Sequence, residues 1–123
     1  MVAETKRRRK IIVDEHVYVW HIQESGDPGG PIYWSYQVRV ITEDRRGNIV
    51  YPLLPKGESP FVVLYGKRFE HLLDGTRQSV KYRCPRFERE DGAITPQSVK
   101  DLIQWCLSDS EPRIRVDWKN RPI

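Results

Sequence analysis

Long apolar runs and cysteines are both scarce in this 123-residue sequence. No apolar run approaches the roughly 20 residues that a membrane-spanning helix needs, and no apolar stretch follows the basic N-terminus as it does in a secretion signal. We therefore expect a soluble cytoplasmic protein with no membrane partner. The two cysteines, Cys84 and Cys106, cannot form a disulfide framework at this length, so we expect two reduced core thiols.

Patterns typical of catalysis and of metal or cofactor binding are missing as well. The three histidines, His16, His21 and His71, lack zinc-ligand spacing to a cysteine or to one another. No serine lies in a Gly-x-Ser-x-Gly motif, and no glycine-rich phosphate loop precedes a helical pattern. We expect a protein that is not an enzyme and has no cofactor and no metal site. These local motifs do not bear on an active site assembled from residues that are distant in the sequence.

Positive charge is concentrated at the two ends of the chain. The whole sequence has a net charge of +4, and residues 1–10 alone account for it, so residues 11–123 sum to zero. We interpret residues 1–9 as a flexible basic arm and residues 10–123 as a single domain. The basic run consists of Lys6, Arg7, Arg8, Arg9 and Lys10.

Alternating apolar and polar residues predict strands in most of the chain before residue 94. Residues 10–23 contain two β-rich runs, which form either a hairpin or one bulged strand. Residues 32–42 give the clearest alternation, and residues 61–65 form a continuous apolar run that suits a central strand. Residues 113–118 suit an edge strand, because every second residue is charged.

The segment Ile94–Leu107 has the signals of a helix start, period and stop. Thr95 suits the N-cap and Pro96 the first helical position, and the apolar face repeats at helical spacing. This face consists of Val99, Leu102, Ile103 and Cys106. We predict an α+β fold, a mostly antiparallel sheet of about five or six strands packed by one C-terminal helix. A small, partly open β-barrel with a capping helix is the alternative.

Two sets of residues remain as candidate binding sites. Trp105 lies beside the apolar face of the helix, where it either closes the rim of the core or joins Trp118 in a surface for a partner protein. Arg113 and Arg115 would belong to that surface, since Trp and Arg are common interface anchors. The basic run Lys6–Lys10 suits non-specific contact with nucleic-acid phosphates. We therefore expect a binding or accessory protein with a protein partner, and nucleic-acid association is the alternative.

Two motifs are similar to those of a group of small uncharacterised bacterial proteins. They are Ile12-Val13-Asp14 with Tyr18-x-Trp20, and Ile94-Thr95-Pro96 with Val99 and Ile103. The group opens with a Val-Asp-Gly, Tyr-x-Trp hairpin and closes with an Ile/Val-Thr-Pro helix. This chain departs from it at Glu15, where the group favours Gly, and at Ser108-Asp109-Ser110, where Gly-Trp is usual. The resemblance implies a compact bacterial protein with one domain, and the group has no known activity that it could assign to this chain.

Overall fold

The computed structural model describes residues 8–24, 36–54, 56–73, 75, 78–108, 113–119 and 121–123. These residues contain a seven-stranded sheet in which each strand pairs antiparallel with its neighbours in the chain. The strands are β1 Arg9–Val13, β2 His16–Glu24, β3 Tyr36–Thr42, β4 Asn48–Pro52, β5 Phe61–Tyr65, β6 Val80–Arg83 and β7 Arg115–Val116. The helices are α1 Glu70–Leu73, which follows a 3₁₀ turn at Lys67–Phe69, and α2 Pro96–Leu107.

The predicted α+β class is confirmed, but the strand count and the barrel alternative are not. The sheet is open, because β1 and β7 lie at its two ends. It has seven strands where five or six were predicted, because the two β-rich runs of residues 10–23 form separate strands. Of the predicted strand at residues 32–42, the first four residues lie outside the described part of the chain.

The turn between β1 and β2 consists of Asp14 and Glu15 alone. Both residues have positive φ, 50° and 68°, as a two-residue turn of type I′ requires. This turn fixes the register, so Val13 pairs with His16 and Ile11 pairs with Tyr18. Glu15 therefore takes a backbone conformation that glycine adopts at lower cost.

The core lies between one face of the sheet, here called the inner face, and the apolar side of α2. Tyr18, Ile49 and Leu64 on this face are fully buried, and the four apolar residues predicted for α2 pack against them in one cluster. The two cysteines are free thiols, Cys106 buried and Cys84 half-buried. The predicted packing of α2 on the sheet is confirmed.

The start of α2 is fixed by a capping box. Thr95 Oγ1 accepts a hydrogen bond from the Ser98 N–H at 3.1 Å, and the Thr95 N–H donates to Ser98 Oγ at 3.2 Å. Pro96 takes the first helical position, as predicted. Helix α2 packs more closely against β1 than against any other strand. The first strand and the last helix therefore stabilise each other.

Candidate functional site

The β1 edge of the sheet, formed by Arg9–Val13, is open. Val13 and His16 flank the two-residue turn and form a hydrogen-bonded pair, so the N–H and C=O of Ile12 and Lys10 point away from β2. Among the described residues, no backbone group pairs with this outer side of β1. The Ile12 side chain is 66% exposed. The edge therefore offers a row of free backbone groups beside an exposed apolar side chain.

The opposite edge of the sheet is covered. β7 is only two residues long, yet it pairs with β6 on one side and with the C-terminal residues on the other. The Ile123 N–H donates to the Arg115 C=O at 2.9 Å, and Val116 forms a bridge with Pro122. Asp117 Oδ1 accepts from the Lys119 and Arg121 N–H groups and holds the turn between them. A further strand cannot add to β7 without displacing this segment.

A concavity of about 420 Å³ lies next to the β1 edge, on the face of the sheet opposite the core, here called the outer face. Paired residues share a face of a sheet, and Lys10, Val19, Ile41 and Asn48 pair in succession across β1 to β4. The concavity is here called the outer pocket. Its lining residues are Arg8, Val19, His21, Ile41, Thr42, Glu43, Arg45 and Asn48.

His21 is the buried titratable group of the outer pocket. Its side chain is only 9% exposed, and it forms no hydrogen bond with any part of the chain that the structure describes. Burial lowers the pKa of His21, and the positive charges of Arg8 and Arg39 lower it further. The imidazole is therefore held neutral among guanidinium groups, in a place that favours negative charge.

The acidic residue of the outer pocket is already paired. Lys10 Nζ lies 3.3 Å from Glu43 Oε2, with both side chains exposed. With Glu43 neutralised by Lys10, Arg8 and Arg45 leave the outer pocket positively charged. Residues of β2 and β3 thus form an apolar floor, and Arg8, just before β1, and Arg45, in the turn after β3, bring positive charge to it.

Trp105 and Arg113, two of the residues predicted to bind a partner, contact each other. The Arg113 guanidinium carbon lies 4.2 Å from the centre of the Trp105 ring, and its Nη2 donates to the Trp105 C=O. Nε2 of His71 donates to the next carbonyl, that of Cys106, at 3.1 Å. α2 has no basic residue in its last turn, so these two side chains supply the donors that its C-terminal carbonyls need. This pair explains Trp105 as part of the core rim.

The other two residues of that predicted surface lie apart from this contact. Trp118 is 68% exposed in the turn after β7, and Arg115 is half-buried in β7 opposite Tyr82. The alternation predicted for residues 113–118 is only partly correct. Val116 is buried, but Ile114 and Trp118 are exposed, because they lie before and after the strand, which contains only Arg115 and Val116.

The basic run is divided between the described sheet and the segment before it. Lys6 and Arg7 lie outside the described residues. Arg8 lines the outer pocket, Arg9 is the first residue of β1, and Lys10 follows it in the strand. Arg9 also lies over the Trp20 ring at 5.5 Å. The last three basic residues are therefore exposed along the open edge of the sheet.

A polar cluster around Tyr51 has a structural explanation. The Tyr51 hydroxyl donates to Glu88 and accepts from the Phe87 N–H at 3.1 Å. Arg86 pairs with Glu88 at 3.0 Å and donates to the Glu58 C=O at 2.8 Å. Burial, followed by the hydrogen bond to Glu88, raises the pKa of Tyr51. These bonds attach the loop before α2 to the sheet.

Of the eight residues that line the outer pocket, only Arg8 was predicted from the sequence as a binding residue. The polar residues that were missed include His21, Arg45 and Asn48. They come from β2, from the turn after β3 and from the start of β4, so no local motif joins them. The signal that was available is the period of two in β2, which places Val19 and His21 on the same face. No group of three or more metal-ligating side chains occurs within the described ranges. Nor does the described part of the chain contain a helix long and apolar enough to cross a membrane.

Comparisons with protein-family models, with curated proteins and with solved structures gave no match.

Proposed function

We propose that this chain is a non-enzymatic binding protein that holds an extended segment of a partner protein along the β1 edge. One observation carries the proposal: β1 leaves its outer backbone groups unpaired among the described residues, whereas β7 is covered on both sides. An extended segment can add to such an edge as a further strand, with main-chain hydrogen bonds supplying the affinity.

Charge indicates the composition of that segment. The open edge carries Arg8, Arg9 and Lys10 as exposed residues, and Glu43 is engaged by Lys10. A segment that alternates apolar and acidic residues would set its carboxylates on the outer face, beside Arg8 and Lys10, and its apolar side chains on the inner face, beside Ile11. Complementary charge of this kind favours association and rejects segments of like charge.

A six-residue peptide that alternates valine with glutamate tests the proposal, and the same peptide with lysine for glutamate is its control. Ile12→Pro removes the outward N–H, and proline is tolerated at such a position of an edge strand. We expect this variant to bind the glutamate peptide about tenfold more weakly, since it loses one hydrogen bond. Binding is measured by fluorescence anisotropy.

Ile12→Thr is the matched variant, because it changes the side chain and keeps the N–H. It is expected to retain most of the affinity. Equal affinity of the proline variant and the native protein would contradict the proposal, as would equal affinity for the two peptides. Backbone chemical shifts of β2, recorded for each variant, show whether the hairpin is intact.

Trp118 and Arg115 remain proposed contact residues for a partner, at the other end of the sheet. The exposed indole of Trp118 supports this part of the proposal. Trp118→Ala is expected to weaken binding of the native partner without changing affinity for the glutamate peptide, which occupies β1. Trp105→Ala and Arg113→Ala are expected to destabilise the end of α2 instead, because these two residues contact each other.

Association with nucleic acid through Lys6–Lys10 is the second candidate function. The observation that favours it is the exposure of Arg8, Arg9 and Lys10 in succession. A labelled single-stranded oligonucleotide, titrated with salt, measures it. Each phosphate contact adds about 0.7 to the slope of log affinity against log salt. Replacing the five basic residues Lys6–Lys10 by glutamine, which keeps the β1 backbone, is expected to remove that slope. An unchanged slope would exclude the basic run.

A further inference from the structure

The outer pocket combines an apolar floor with positively charged walls. Val19 and Ile41 pair directly and form the floor. Arg8 lies one residue before the pair that Arg9 makes with Trp20, which places it across from His21. Arg45 comes from the turn after β3, so the two guanidinium groups reach the outer pocket from different elements.

The volume of the outer pocket, about 420 Å³, falls within the range of small-molecule sites. It is larger than a single anion needs, and its floor is apolar. His21 adds a ring nitrogen that has no partner in the described part of the chain, although the side chain is nine-tenths buried. The His21 ring nitrogens stay accessible, since neither is among the fully buried, unpartnered side-chain atoms of the described residues, so a ligand in the outer pocket can reach them.

We propose that the outer pocket binds a small organic anion whose apolar body lies on Val19 and Ile41. Arg8, Arg45 and His21 hold its carboxylate or phosphate group. Asn48 supplies an amide that can donate to the same group. This site shares Arg8 with the β1 edge but does not rest on the partner proposed there.

The pKa of His21 depends on the charges around it and therefore reports whether an anion is bound in the outer pocket. The charged groups around His21 are Arg8, Glu43 and Arg45 in the lining of the outer pocket and Arg39, its partner on β3, and Lys10 neutralises Glu43. A bound anion favours the protonated imidazole, so it raises the pKa of His21. By linkage, the anion binds more tightly as the pH falls below the ordinary histidine pKa.

Benzoate and phenyl phosphate are the probes, and neutral benzamide is the control. The Cε1–H resonance of His21 is followed by NMR during each titration. His16, which faces Arg68, and His71, which is bonded to the Cys106 carbonyl, report on the rest of the fold. We expect a saturable shift of His21 with the two anions at millimolar concentration or below, about −4 kcal/mol or stronger.

The two anions distinguish the acid group. A tenfold preference for phenyl phosphate identifies a phosphate site, and a tenfold preference for benzoate a carboxylate site. Either result, or equal binding of both, supports the proposal. A response to benzamide equal to that of the anions overturns it, and so does the absence of any His21 response up to about 10 mM, tenfold above the millimolar affinity expected.

The double variant Arg8→Gln with Arg45→Gln is expected to bind both anions at least tenfold more weakly. The matched control changes the same charge elsewhere, at Arg89 and Lys100, which are exposed on the loop before α2 and on α2 itself. Equally weakened anion binding in both double variants would show a general charge effect and overturn the proposed site. Because these titrations do not involve the Ile12 backbone, their failure leaves the β1-edge proposal standing.

Discussion

The two edges of this sheet are built in opposite ways. β7 is two residues long and is paired on both sides, while β1 is five residues long and is paired on one. Exposed edge strands promote aggregation, and proteins protect them with charge or with a covering segment. Here β7 has the covering segment and β1 has the basic residues. An edge protected by charge stays accessible to an acidic partner, which a covered edge does not.

The largest expected effect is on stability, and it differs between the two edge strands because β1 is packed into the core and β7 is not. Val13 in β1 belongs to the core cluster, whereas Val116 in β7 is buried outside it. Val13→Ala is expected to lower the free energy of unfolding by about 2–3 kcal/mol and Val116→Ala by about 1–2 kcal/mol. Urea denaturation of both variants measures the difference. The reverse order would show that the β7 edge, and not β1, is the better anchored.

Removing residues 121–123 exposes the second edge. The variant loses the Ile123 hydrogen bond to Arg115 and the Arg121 contacts with Asp117. We expect it to be less stable by about 1–2 kcal/mol, and to self-associate as its concentration rises, because β7 can then pair with another chain. Sedimentation velocity at several concentrations checks this. A monomer with unchanged stability would show that the covering segment has no protective role.

Glu15→Gly is expected to strengthen the β1 edge. Glu15 has a φ of 68°, a conformation without penalty for glycine, so the variant should gain about 0.5–1 kcal/mol. Thermal denaturation measures the gain. Gly57→Ala is the opposite control, since it places a Cβ at a φ of 96° in open space and should lose a similar amount.

The smallest expected effect is a difference in pH response. The pKa of His21 is lowered from 6.5, so the unfolded chain binds its proton first and stability falls as the pH drops below 6.5. The pKa of Asp117 is lowered from 3.8, chiefly by the Arg121 N–H, so its contribution is lost only below that value. As the pH falls, the hydrogen-exchange protection factors of β2 amides should therefore decrease at a higher pH than those of β7 amides. His21→Gln should remove the first change and leave the second.

Helix α2 could be predicted because its signals are local in the sequence. The cover on β7, the role of Trp105 and the outer pocket could not be predicted, because they depend on contacts between distant segments. Thr95, Pro96 and the apolar spacing lie within one segment, so the helix follows from the sequence. The cover on β7 depends on the chain turning back at Asp117, which no alternation pattern shows. Trp105 stayed ambiguous because the residue that stacks on it, Arg113, lies beyond the end of the helix. The outer pocket needed the register of four strands before its residues could be placed together.

The order of the sheet also has a consequence for folding. Every strand pairs with its neighbour in the chain, and sheets with such local pairing form faster than those that join distant segments. The exception is the packing of α2 against β1, the first strand against the last helix. During synthesis, residues 14–95 must emerge before α2 can reach β1. The open edge strand β1 therefore leaves the ribosome long before α2, the helix that packs on it in the folded protein.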